Sequence, residues 1–225
     1  MAASAFRYTP INPYRLLLRA WDPEIDSFTL IPCLAPLGTA IHKCTLVIER
    51  AASSASDDYA DAVADEETEK IEALLGAAFI LCQIHITSVV SRVITVRCFF
   101  NNREKRALPG PDASDKRSIL IQGAQPIHDS GYTDVQAIDA FANYFKHRDE
   151  WAPTWQGLTN IQEKTREIVY ALGARPGSSG NLRTGAQVLG NSEYHTLIIF
   201  ADRLALWNNE LRITYEAKLN EEHVL

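Results

Sequence analysis

ALLGAAFILCQIHITSVVSRVITVRCFF, running from Ala73 to Phe100, decides what kind of protein this is. Its first nineteen residues, through Ser91, carry no formal charge, nearly the length of about 20 apolar residues that a membrane-crossing helix needs. Gln83, His85, Thr87, Ser88 and Ser91 interrupt the stretch, and polar groups are costly in hydrocarbon. A helix buried inside a protein gives the same pattern. The β-branched run ITSVVSRVITV leaves a strand as the alternative for residues 86–100, because a short apolar run does not fix its own period. We read the stretch as the buried central helix of a protein with no membrane span.

The flanking segments place this helix in a mainly α fold, an up-and-down bundle with long irregular insertions. Upstream, Asp57 to Glu69 is acidic and suits the positive end of a helix dipole, so the helix is expected to start there. A further helix is expected from Leu37 to about Ala52. Before it, Pro10, Pro13, Pro23, Pro32 and Pro36 each remove a backbone donor. Residues 1–36 therefore read as a proline-rich extended arm with at most a short helix at PEIDSFTLI. Residues 101–131 read as an irregular connection with a strand at SILIQ. Thr133-Asp-Val-Gln136 then spells a capping box that opens a new helix. Another helix runs from Leu158 to Leu172 and stops at Gly173. A glycine-rich connection, 173–191, follows, and Asn191 or Ser192 is placed to cap the last helix, which ends near Leu219. One domain over residues 1–225 accommodates all of this.

Composition narrows the function classes. Lys and Arg number 22 against 28 Asp and Glu, a formal charge of −6, so no global field draws the chain to nucleic acid. Cys33, Cys44, Cys82 and Cys98 show no Cys-x-x-Cys spacing and read as buried free thiols. The N-terminus lacks a basic start followed by an apolar core, and a cytoplasmic location is expected. Cys82-x-x-His85 with His42-x-Cys44 lacks the knuckle spacing of structural zinc, and no metal or cofactor is expected. Gly180-Asn-Leu-Arg-Thr-Gly185 has the glycines of a phosphate loop without its lysine and reads as a mobile surface loop, with anion binding by Arg175 and Arg183 as the alternative.

The chemistry-bearing residues lie on the capped helix. On a wheel, Val135, Ile138, Phe141, Ala142 and Phe145 share a core arc. Gln136, Asp139, Asn143, Lys146, His147 and Glu150 gather opposite. Asn143 and His147 are one turn apart. Histidine exchanges protons near neutral pH, an amide can orient it, and Lys146 and Arg148 can neutralise a phosphodiester. The bland alternative is a solvated helix face. Trp151 and Trp155 either cap the core or form a contact surface.

Ala142-Asn143-Tyr-Phe-Lys-His147 resembles the Arg-Asn-x-x-x-His motif of the HEPN domains. These are helical bundles, usually dimeric, that often act as metal-independent ribonucleases in toxin–antitoxin and antiphage systems. The resemblance implies a homodimer, with His147 and Asn143 catalytic at an RNA-binding cleft and Lys146, Arg148 and Arg166 contacting substrate. Ala142 stands where the motif has arginine, so Arg148 or Arg166 would have to supply that charge. The competing expectation is a non-catalytic protein-interaction or dimerisation module built on the same bundle.

Overall fold

The computed structural model describes residues 12–54, 56–109, 115–151, 153–190 and 196–225. Among them are eight α-helices: α1 (Pro13–Ala20), α2 (Pro23–Ser54), α3 (Asp57–Glu104), α4 (Lys116–Ile121), α5 (Asp134–His147), α6 (Asn160–Ala171), α7 (Asn181–Val188) and α8 (Ile198–Glu221). The only sheet among the described residues is a two-stranded antiparallel ladder, β1 (Pro126–Ile127) with β2 (Tyr132–Thr133). The fold is mainly α. Residues 86–100 are helical, inside an α3 of 48 residues that spans roughly 72 Å at 1.5 Å per residue.

α2 corrects the reading of an extended arm. It runs for 32 residues straight through Pro32 and Pro36. Leu30, Leu34, Leu37, Ile41, Cys44, Ile48 and Ala51 are spaced alternately four and three apart, and all are buried or packed against the core. That spacing is the seam of paired helices, and α2 lies along α3. Both prolines fall on the opposite, exposed face, where water can satisfy the carbonyls they leave without donors. Pro13 and Pro23 stand at the first position of their helices, where a missing N–H costs nothing. Burial of one continuous seam outweighs two local proline penalties.

The segment read as a strand at SILIQ is helix α4, begun by Asp115, whose carboxylate accepts from the Arg117 N–H at 3.0 Å. Residues 173–190 are likewise not wholly irregular, since they contain α7. The α5 capping box is present, and a second one, Thr159 with Gln162, opens α6. Gly173 ends α6 with φ +100°. The proposed caps Asn191 and Ser192 lie outside the described residues. Cys44 and Cys82 are buried, their thiols pushed up by desolvation, Cys44 to about 11, whereas Cys33 and Cys98 are exposed. α2 from Phe28 and α3 are both long and apolar enough to cross a membrane. In their most apolar windows, 17% of the first and 44% of the second is buried within the protein.

The core forms where α3, α5 and α8 meet: the Phe79 ring stacks on Phe141 at 5.5 Å and on Phe200 at 5.2 Å. α5 comes unusually near α3 because Gly76 offers no side chain. A Cβ there would lie 2.3 Å from the Phe145 ring. Gly76→Ala should therefore lower stability. The gain in helix propensity is about 1 kcal/mol, and overpacking against an aromatic ring costs about 1–3 kcal/mol. Denaturant unfolding decides the sign, and a stabilised variant would refute the close approach.

His85 is buried on α3 with its Nε2 unpartnered, and desolvation lowers its pKa. An unfolded histidine titrates near about 6.5, so between that value and the depressed folded one the unfolded chain binds the extra proton. Its contribution to stability is present above about pH 6.5 and lost as pH falls below it. The stability of His85→Leu relative to the parent should rise between pH 7 and pH 5. A flat difference across that range would contradict this placement.

Candidate functional site

Asn143 and His147 share a helix but not a site. The first half of α5 is buried nearly all round, so the wheel's polar face is covered there. Gln136 is buried, closing the capping box through its side-chain oxygen on the Thr133 N–H at 3.0 Å. Asp139 and Asn143 are half-buried and turned toward α3. There the Gln83 amide donates to Asp139 Oδ1 at 2.8 Å and to Asn143 Oδ1 at 3.0 Å. Lys116 Nζ reaches the same Asp139 oxygen at 2.7 Å. A polar chain thus ties α4, α3 and α5 together, and Asn143 is a member of it.

Only the last turn of α5 opens to solvent. The His147 side chain is 47% exposed, and its Nδ1 lies 3.0 Å from Glu150 Oε1. Glu150 Oε2 in turn accepts from Gln162 Nε2 on α6 at 3.3 Å. Lys146 is exposed. Arg148 lies 4.7 Å over the Phe145 ring, with its Nε 3.8 Å from Asp149. Arg166 Nη2 pairs with Glu163 at 2.7 Å. Ala142, where the motif's arginine would stand, is 0% exposed and packed in the core. The five candidate residues are therefore distributed between one inward amide, Asn143, and four side chains on the outer rim.

Beside Asn143 lies a cleft of about 410 Å³ between α4, α5 and α6. Leu120, Ala140 and Ile168 contribute its apolar lining, and Ile161, 81% exposed, stands in its wall. Lys116, Arg117 and Lys164 are its cations, Asp139 and Glu167 its acids. Lys116 is already held by Asp139, and Lys164 has no ion pair among the described residues. Among the candidates only Asn143 lines this cleft. Gln83, Asp139, Lys116 and Lys164 were not singled out for a site by sequence. Two of them leave a trace there: Gln83 as a long polar side chain inside an uncharged stretch, and Asp139 on the polar face of the wheel.

The other candidate groups are structural. Trp151 and Trp155 are buried, stacked edge to face at 5.3 Å and both against Tyr144, so they close the core and form no contact surface. Burial raises the Tyr144 phenol, whose oxygen accepts from Asn181 Nδ2 at 2.9 Å. Asn181 also donates to the carbonyls of Arg175 and Ser178 and so organises the glycine-rich connection. Arg175 donates to the carbonyls of Tyr170 and Ala174, and Arg183 pairs with Glu72 at 3.2 Å. Both arginines of that segment are engaged within the protein. Glu72 also accepts the N–H groups of Leu182 at 3.0 Å and Arg183 at 3.1 Å, capping α7 from another helix. No cluster of three or more His, Cys, Asp or Glu placed to hold a metal occurs among the described residues.

The two candidate side chains should separate in stability measurements. Asn143→Ala unpairs part of the Gln83 amide and should cost about 1 kcal/mol. His147→Ala removes an exposed side-chain contact with Glu150 and should change stability by less than about 0.5 kcal/mol. Equal losses in chemical denaturation would contradict the division described here. Compared with known protein families, curated proteins and solved structures, the chain matches none.

Proposed function

We propose that the protein is a non-catalytic interaction module whose α4–α5–α6 cleft seats an apolar side chain of a protein partner flanked by an acidic residue. The make-up of the cleft carries this reading. A phosphodiester chain is gripped by clustered, unopposed cations. Here apolar walls alternate with charges of both signs, the pattern of a site for an amphipathic peptide. Lys164 supplies the free positive charge that an acidic flank would meet, and Ile161 the exposed apolar edge.

The placement of the motif residues favours the same reading over RNA cleavage. Asn143 is occupied by Gln83, His147 faces Glu150, and the motif's arginine position is a core alanine. General acid–base chemistry needs its groups within hydrogen-bond reach of one reacting atom, and these side chains converge on no common point.

The test is selection from a displayed peptide library, with a ribonuclease assay alongside. Selected peptides should carry an apolar anchor next to Asp or Glu. They should lose at least ten-fold in affinity for Ile161→Asp and for Lys164→Glu. Labelled total RNA should remain intact in EDTA. Peptides indifferent to both variants, or RNA cleavage abolished by His147→Ala, would overturn the proposal.

A further inference from the structure

A second concavity lies away from the α4–α5–α6 cleft, along the outer face of α8. It consists of three hollows that run into one another. The first, about 600 Å³, is lined by Phe28, Ile31, Ala205 and Leu206. It shares Pro23 and Asn209 with the second, which shares Leu18, Arg19 and Arg212 with the third. Together they form a trough from Asp202 to Asn220, roughly 27 Å at the helical rise of 1.5 Å per residue. α1 and the beginning of α2 form its other wall.

The two ends differ in chemistry. At one end Phe28 is 77% exposed and Leu206 58%, apolar surface bordered by Asp202 and Asn209. At the other, Arg15, Arg19 and Arg212 line a hollow of about 250 Å³ with Glu216 and Asn220. Arg15 and Arg19 are one helical turn apart, where like charges repel, and neither has a carboxylate partner among the described residues. Arg212 touches Glu216 only at 3.4 Å, and its buried Nε has no hydrogen-bond partner. Three guanidinium groups line this hollow with one carboxylate, Glu216, and the adjoining hollow adds Asp22, which leaves the cations in excess in a chain whose net charge is −6.

We propose that this trough binds a single-chain amphiphile with a phosphate headgroup, its tail along Phe28, Ile31 and Leu206 and its phosphate between Arg15, Arg19 and Arg212. Guanidinium groups pair with phosphate through two parallel N–H donors, which suits a phosphate better than a diffuse surface charge. Continuity of the trough selects an amphiphile: a bare anion would use only the cationic end, and a neutral chain only the apolar one.

Calorimetric titration of the full chain with lysophosphatidic acid, kept below its micelle concentration, tests the assignment. Lysophosphatidylcholine and inorganic phosphate serve as comparison ligands. The expected result is saturable binding of lysophosphatidic acid, at least ten-fold tighter than either comparison. Both the R19Q/R212Q double variant and Leu206→Asp should weaken it at least ten-fold while unfolding at temperatures near the parent's. No binding, equal binding of the three ligands, or binding unchanged in both variants would overturn the proposal. Retention on phosphatidylglycerol vesicles without binding of the free lipid would move the arginines' role to a membrane surface and overturn it also. So would an acidic amphipathic peptide that competes fully and binds more tightly.

Discussion

The close approach of α5 to α3 is the contact on which the rest of this molecule depends. Gly76 admits the Phe145 ring, Phe79 stacks on Phe141 one turn further along, and Gln83 meets Asp139 and Asn143 one turn beyond that. The register is antiparallel: rising numbers on α3 meet falling numbers on α5. α7 is fastened to the same pair. Gly185 leaves room for Phe141, since a Cβ would come within 2.8 Å of its ring, and Glu72 holds the start of α7. Where two large rings lie against two glycines, small changes in volume are transmitted and not absorbed.

This arrangement explains why the two polar residues of α5 have different surroundings although they are stacked on one helix. Asn143 lies at the depth where α3 still runs alongside, so its amide is drawn into a network across helices. His147 lies one turn later, where α5 ends and passes into a 3₁₀ turn at Arg148–Glu150, and it finds its partner within that turn. A helical wheel records direction and carries no information on depth.

Much of the architecture is legible in the sequence, and the exceptions share a physical cause. The α5 capping box and the glycine after α6 act through a few neighbouring atoms, so local patterns report them faithfully; the Thr159–Gln162 box has the same spacing and is found only in the structure. Pro32 and Pro36 also act locally, yet the seam from Leu30 to Ala51 buries against a helix whose best match is set by chain folding. Proline rules counted the lost donors and not the partner. The helix at Lys116–Ile121, read as a strand, is too short for periodicity to separate the two states. The candidate site was half visible: Asn143 was found from its motif-like spacing. Gln83, Asp139 and Lys116 become a network only when α3, α4 and α5 meet, and no spacing within one helix encodes that meeting.

The cap that Glu72 places on α7 bears on what that helix needs in order to form. α7 has eight residues, too few to persist as an isolated helix in water. No side chain of its own terminus caps it. Its first N–H groups are satisfied by a carboxylate 110 residues earlier in the chain. α7 therefore depends on α3, because its opening N–H groups find their partner only where that carboxylate stands. The glycine-rich approach to it, with φ +100° at Gly173 and +71° at Gly177, gives the segment freedom to search for that carboxylate.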